Sequence, residues 1–94
     1  MRRDGEGGLT RRSWPEWWHW DLEISSHLLK RMIDRRFSEI DLRGMLQRSS
    51  RLRRDIVPGR WVAVSRHLRH TWEVILEPDL ERQLVVVITA YPLE

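Results

Sequence analysis

The segment LVVVITAY, from Leu84 to Tyr91, constrains the fold of this chain more than any other stretch. It carries no charge and is rich in β-branched residues, which is typical of a strand with protein against both of its faces. Thr89 and Tyr91 lie two positions apart, so their hydroxyl groups project from the same face of the strand. The segment therefore predicts an interior strand with a polar site at its end.

An alternating segment near the N-terminus predicts a second strand. Every second residue there is large and apolar, and the residues between them are polar. The apolar residues are Trp18, Trp20, Leu22 and Ile24. One face of this strand is therefore expected to pack into the core. Its tryptophans could instead form a base-stacking platform. Trp14 and Trp17 precede the alternation, so the pattern says less about whether they are buried.

The residues after this strand predict a helix. Ser25 or Ser26 can cap its first turn, and it is expected to run to about position 35. Helical spacing directs an apolar side of this helix toward the sheet through Leu29, Met32 and Ile33. The spacing i, i+4, i+8 puts three basic residues on another side: His27, Arg31 and Arg35.

A second helix is predicted after a tight turn near Phe37. Ser38 is its expected N-cap, and Asp41 stands where its carboxylate completes a capping box. Its core contacts are expected from Leu42, Met45 and Leu46. The residues from 48 to 60 then form an arginine-rich connector, which Pro58-Gly59 turns into the sheet.

The last part of the chain predicts three strands. RWVAVSRH (Arg60–His67) and TWEVILE (Thr71–Glu77) form a hairpin, and LVVVITAY follows a turn at Pro78-Asp79. The predicted order is β-α-α-β-β-β, an α+β fold in which a helical hairpin packs on a four-stranded, mainly antiparallel sheet. Residues 1–13 are expected to be a disordered, basic, glycine-containing tail, and residues 14–94 a single domain.

The composition excludes several kinds of site. The 94 residues include no cysteine, which rules out disulfides, thiolate metal sites and a cysteine nucleophile, and we expect a cytoplasmic protein without a cofactor. No apolar run approaches about 18 residues, so no membrane span is expected. Lys30 is the single lysine among 17 basic residues. Arginine suits phosphate binding, although the codon bias of a GC-rich genome would have the same effect.

The candidate chemical groups are histidines, arginines and hydroxyls. His27 stands at a helix start, where imidazole tends to stay neutral and can transfer a proton, and Arg31 can hold a phosphate beside it. The alternative is a helix-end histidine and a solvated arginine. His67 and His70 are an odd number of residues apart, which on extended strands sends them to opposite faces. No acid cluster supports a metal site there, and none is expected.

The two glutamates of the third predicted strand, Thr71–Glu77, have a simpler explanation. Glu73 and Glu77 share a face of their strand, and we expect them to pair across the sheet with Arg66 or another arginine. The remaining groups suit RNA cleavage by the 2′-hydroxyl, because RNA supplies its own nucleophile and the protein need only move a proton and stabilise charge.

The chain resembles small bacterial domains related to the BrnT and RelE toxins. The matching segments are HLLKRMIDRR, FSEIDLRGML, the GRW entry to the sheet and the closing VVVITAY. The resemblance as a whole covers the chain from about Trp20 to Pro92. The resemblance implies a RelE-like fold of the barnase, EndoU and colicin type and a toxin ribonuclease held silent by an antitoxin. It places the catalytic residues at His27, Arg31, Thr89 and Tyr91, and a phosphate-binding arginine at Arg60.

Further residues are expected beside that site. Arg35, Arg66 and His67 are candidates for binding substrate, so the expected partners are RNA and an antitoxin, with no membrane; a homo-oligomer is left open. The rival hypothesis is a non-catalytic RNA- or protein-binding module on the same scaffold, such as an accessory protein of a mobile element.

Overall fold

The computed structural model describes residues 13–93, and residues 1–12 of the predicted tail lie outside them. A 3₁₀ turn at Glu16–His19 comes first. The elements that follow are β1 (Asp21–Ile24), α1 (Ser26–Arg35), α2 (Glu39–Gln47), β2 (Arg51–Arg54), β3 (Trp61–His67), β4 (His70–Asp79) and β5 (Leu84–Pro92). The described residues therefore form an α+β fold with two helices and a five-stranded mixed sheet.

The strands lie in the order β1-β5-β4-β3-β2. β5 pairs in parallel with β1 on one side and antiparallel with β4 on the other, so the prediction that Leu84–Tyr91 is an interior strand is confirmed. β2, β3 and β4 are antiparallel to their neighbours. Among the described residues, no helix has both the length and the apolar character needed to cross a bilayer.

The prediction of four strands is wrong, because the connector contains the edge strand β2. Three of its four residues are arginines, which hid the strand in the sequence. It forms because its backbone pairs with β3 and Leu52 is buried in the core. The arginines also protect this edge of the sheet from pairing with another chain.

The helices cover one face of the sheet, here called the helix face. Val85, Val87 and Ala90 of β5 point into the core on this side. The expectation that β5 is covered on both faces is wrong, since its other side chains, including Thr89 and Tyr91, are only partly buried on the opposite, open face. Ile88 is an extra residue in the β4–β5 pairing, and this bulge resets the alternation.

α1 packs through a different side from the predicted one. Leu28 is 0% exposed and Met32 is buried, whereas Leu29 is 49% and Ile33 79% exposed. The prediction for Leu29 and Ile33 is therefore wrong. Positions 28/32 and 29/33 form neighbouring stripes about 100° apart on a helix, so spacing alone does not choose between them.

A contact at the start of α1 sets its rotation. The Ser25 hydroxyl accepts a hydrogen bond from the Leu28 N–H at 3.1 Å, which confirms Ser25 as the N-cap. The same hydroxyl donates to the Ile88 carbonyl at 2.8 Å. The cap thus ties the helix to β5 and turns Leu28 toward the core.

α2 begins with the predicted capping box. The Ser38 hydroxyl accepts from the Asp41 N–H at 3.1 Å, and the Asp41 carboxylate accepts from the Ser38 N–H at 2.9 Å. The Ser38 N–H is the main reason why the pKa of Asp41 lies below its ordinary value. The predicted core residues of α2 are all buried: Leu42, Met45 and Leu46.

The tryptophan-rich segment differs from its prediction. Trp18 lies in the 3₁₀ turn, where its N–H bonds to the Pro15 carbonyl at 3.0 Å, and the strand begins only at Asp21. Trp14 and Trp17 are buried, whereas Trp18 and Trp20 are half-buried. A 3₁₀ turn at this point brings Trp17 inward, which a continuous strand pattern would not do.

Candidate functional site

Three side chains of the open face are joined by hydrogen bonds, and we call them the open-face cluster: Tyr91, Glu73 and Arg53. The Tyr91 hydroxyl donates to Glu73 Oε1 at 2.9 Å, and Arg53 Nη2 donates to Glu73 Oε2 at 2.8 Å. Glu73 and Tyr91 are directly opposed on β4 and β5. The Glu73 side chain is 15% exposed, so solvent still reaches a carboxylate that is held on both oxygens.

A second ion pair and an apolar floor lie on the same face. Arg60 Nε donates to Glu77 Oε1 at 3.0 Å, with both side chains partly exposed. These two pairs confirm the prediction that Glu73 and Glu77 pair with arginines across the sheet. Arg53 lies on β2, which β3 separates from β4, and Arg60 immediately precedes β3. Val62 and Ile75 are opposed to each other on the open face and are buried. The charged groups therefore border an aliphatic floor, where electrostatic interactions are stronger than in water.

The surroundings of Tyr91 keep its hydroxyl protonated. Burial is the largest of the causes that raise the pKa of Tyr91, and the hydrogen bond to Glu73 and the charges of Glu73 and Asp55 add to it. Arg53 opposes this rise. Tyr91 therefore acts as a hydrogen-bond donor to Glu73 at neutral pH.

This assignment predicts the titration of the tyrosine. Tyr91 is the single tyrosine of the chain, so its ionisation can be followed by near-ultraviolet difference absorbance without interference from another phenol. We expect its pKa above the ordinary value of 10.0 and a partial fall in Glu73→Gln, because burial remains. Stability linked to this group should be lost as the pH rises through the raised pKa. An ordinary pKa that Glu73→Gln leaves unchanged would contradict the observed contact.

Four of the predicted site residues belong to the open face. Thr89 is opposed to Ile75, and Tyr91 to Glu73. Arg60 enters β3 beside Glu77, and Arg66 lies farther along β3, where its guanidinium donates to the Arg69 carbonyl at 3.2 Å. The structure brings Tyr91 and Arg60 to the same face as two paired carboxylates.

The three predicted residues of α1 lie elsewhere. His27 and Arg31 are exposed on a helix that packs on the helix face, so the structure does not bring them together with Thr89 and Tyr91. Arg35 Nη1 donates to the Ala90 carbonyl at 2.8 Å. Since β1 pairs only with the first half of β5, Arg35 satisfies a carbonyl on the unpaired edge of that strand. The roles of His27 and Arg31 stay predictions.

The two hairpin histidines share a face, which corrects the prediction that they diverge. His67 and His70 are directly opposed across a two-residue turn in which Leu68 and Arg69 both have positive φ. Opposed residues of an antiparallel pair point to the same side, whatever their separation along the chain. The His67 ring lies 5.7 Å from that of Trp72. Within residues 13–93 we find no group of three side chains that could hold a metal ion.

Arg53 is the member of the open-face cluster that sequence reasoning missed. It was part of an apparent connector, and its strand became visible only through pairing with β3. The alternation of Arg51, Leu52 and Arg53 was the available signal, since it places Leu52 in the core and both arginines on the open face. Glu73 was recognised as a partner for an arginine but not as the centre of a site.

Comparisons with protein-family models, curated proteins and solved structures find no match to this chain. The resemblance to BrnT and RelE toxins therefore stays a prediction that rests on the segments quoted above.

Proposed function

We propose that this protein is a metal-independent ribonuclease of the RelE or BrnT toxin type, with a RelE-like arrangement of its α+β fold and a cytoplasmic location. The observation that carries the proposal is the open-face cluster, in which the Glu73 carboxylate accepts bonds from Tyr91 and Arg53. A base, a hydroxyl donor and a guanidinium are the groups that proton transfer and phosphate stabilisation require.

Glu73 is the proposed general base. RNA carries a 2′-hydroxyl next to each phosphate, so a carboxylate that removes the hydroxyl proton generates the nucleophile within the substrate. Arg53 Nη2 lies 2.8 Å from Glu73, so it can contact the phosphate that is being attacked and neutralise charge as it develops. Arg60 and Arg66, on the same face, are the proposed contacts for neighbouring phosphates.

Tyr91 is the proposed general acid, which donates a proton to the leaving 5′-oxygen. The 2′-oxygen bonds to phosphorus and its proton passes to Glu73, while the bond from phosphorus to the 5′-oxygen breaks. The 5′-oxygen takes the proton of Tyr91, which then recovers one from Glu73. The products are a 2′,3′-cyclic phosphate and a 5′-hydroxyl. Protonation of Glu73 removes a negative charge that raises the pKa of Tyr91, so the phenol becomes a better acid when it is needed.

The first experiment is a cleavage assay of the purified chain. We expect cleavage of single-stranded RNA that persists in chelator, produces 2′,3′-cyclic phosphate ends and spares DNA of the same sequence. DNA should resist because it lacks the 2′-hydroxyl. The absence of cleavage on both free and ribosome-bound RNA, or equal cleavage of DNA, would contradict the proposal.

Protein binding is the second candidate function, and exposed apolar residues favour it. Leu29 and Ile33 are adjacent on the outer side of α1, and Ile40 of α2 is also largely exposed. Exposed apolar surface of this kind often marks an interaction site. The ribonuclease and protein-binding functions would be compatible if an antitoxin covered these residues. Growth arrest when the chain is expressed alone would favour the toxin.

A further inference from the structure

A cleft of about 220 Å³ opens on the helix face between the tryptophan-rich segment and α2. Leu46, Leu76 and Val85, all buried, contribute its apolar floor. Ligand sites for larger molecules usually span about 300–1,000 Å³, so this cleft suits a single ring system. The cleft lies on the opposite face of the sheet from the open-face cluster.

Three indole rings line the cleft: those of Trp17, Trp18 and Trp20. Trp18 meets the ring of Trp14 edge-on at 4.5 Å, and Trp17 meets that of Trp61 at 5.4 Å. These contacts hold the rings of Trp17 and Trp18 in place before any ligand arrives, which lowers the entropy cost of binding. Trp18 and Trp20 are only half-buried, so part of their aromatic surface is open to a ligand.

Guanidinium groups lie next to this aromatic surface. Arg43 lines the cleft directly. The Arg54 guanidinium lies 4.7 Å from the ring centre of Trp61, and the Trp61 ring contacts that of Trp17. Arg43 forms an exposed i,i+4 ion pair with Glu39, in which Arg43 Nη2 lies 2.9 Å from Glu39 Oε2. Such pairs contribute only about 0.3–0.5 kcal/mol, so a phosphate can compete for the guanidinium.

From this combination we propose that the cleft binds one nucleobase of single-stranded RNA, stacked on the indoles of Trp18 and Trp20, with a neighbouring phosphate on Arg43. Stacked aromatic side chains beside arginines are the usual means of holding unpaired bases without regard to sequence. The chain is basic, with a pI of about 10.5. This charge favours a polyanion such as a nucleic acid as the occupant over a peptide that carries no negative charge. The proposal does not require the open-face cluster to be catalytic.

The test compares two labelled oligonucleotides by fluorescence anisotropy. One is a 2′-O-methyl oligoadenylate, and the other has the same length, the same phosphates and the same 2′-O-methyl groups but abasic sugars. Neither can be cleaved through a 2′-hydroxyl, so a failure of the ribonuclease proposal leaves this measurement unaffected. We expect the wild-type chain to prefer the oligomer with bases by about 5- to 150-fold, as the energy of stacking one base predicts. A wild-type chain that binds both equally would overturn the proposal and favour a protein occupant.

Three variants locate the site. Trp18→Leu removes a stacking surface, and Leu22→Phe fills the cleft while keeping every tryptophan; both should abolish the preference for bases without changing affinity for the abasic oligomer. Arg43→Gln alters an exposed side chain and should reduce the salt slope by about 0.7, the value for one phosphate contact. Leu80→Ala, in the exposed turn between β4 and β5, is the control and should behave as wild type. An undiminished base preference in both cleft variants, or an unchanged salt slope in Arg43→Gln, would overturn the assignment.

Discussion

Glu73→Gln is expected to reduce RNA cleavage by about 10²–10⁴-fold, the usual effect of removing a general acid or base. Glutamine has nearly the same shape, and its amide oxygen can still accept a hydrogen bond from Tyr91 or Arg53, so the sheet should be preserved. Unlike a carboxylate, however, the glutamine amide cannot remove a proton from the 2′-hydroxyl. Single-turnover cleavage of a short RNA at saturating protein separates this loss from a change in binding.

Two control variants make the result specific. Glu81→Gln makes the same chemical change in the exposed turn before β5 and should cleave at the wild-type rate. His27→Ala tests the residue that the family resemblance places at the catalytic centre. Because His27 lies on the helix side of the sheet, we expect this variant to retain cleavage. Cleavage that survives in Glu73→Gln and is lost in His27→Ala would contradict the proposed site and support the original prediction.

Leu28→Ala is expected to cost about 2–5 kcal/mol of unfolding free energy, because it leaves a cavity at a fully buried position. A small domain has about 5–15 kcal/mol in total, so the variant should unfold well below the wild-type temperature. Thermal unfolding followed by circular dichroism, together with urea titration, measures the difference. The expected shift is at least about 8 °C, at about 4–8 °C per kcal/mol for a domain of this size.

Leu29→Ala is the matched control, since it makes the same change one residue along the same helix. Leu29 is half-exposed, and substitutions at such surface positions usually change stability by less than about 0.5 kcal/mol. Equal losses in the two variants would place both leucines in the core and contradict the observed rotation of α1.

Local patterns were sufficient for much of the fold. The capping box of Ser38 and Asp41 was readable because both partners lie within one turn of α2. β5 was readable because a long run of β-branched residues without charge is stable only inside a sheet. The pairing of Glu73 and Glu77 with arginines was predictable in kind, since a carboxylate on a strand beside arginine-rich segments has few other partners.

The errors share a physical cause, which is dependence on contacts between distant parts of the chain. α1 has two adjacent apolar stripes, and the bond from Ser25 to the Ile88 carbonyl, 63 residues away, determines which one is buried. β2 is a strand only because β3 is there to pair with Arg51–Arg54. The separation of His27 from Tyr91 likewise follows from which face the helices cover.

The amino-acid sequence alone therefore specified the α+β class, the helix starts, the interior strand and the absence of thiol chemistry, because these depend on composition and on neighbours along the chain. The tertiary structure was needed to join Arg53, Glu73 and Tyr91 into one cluster and to open the tryptophan cleft. The three side chains of the open-face cluster come from three strands, and only the register of the sheet determines that they share a face.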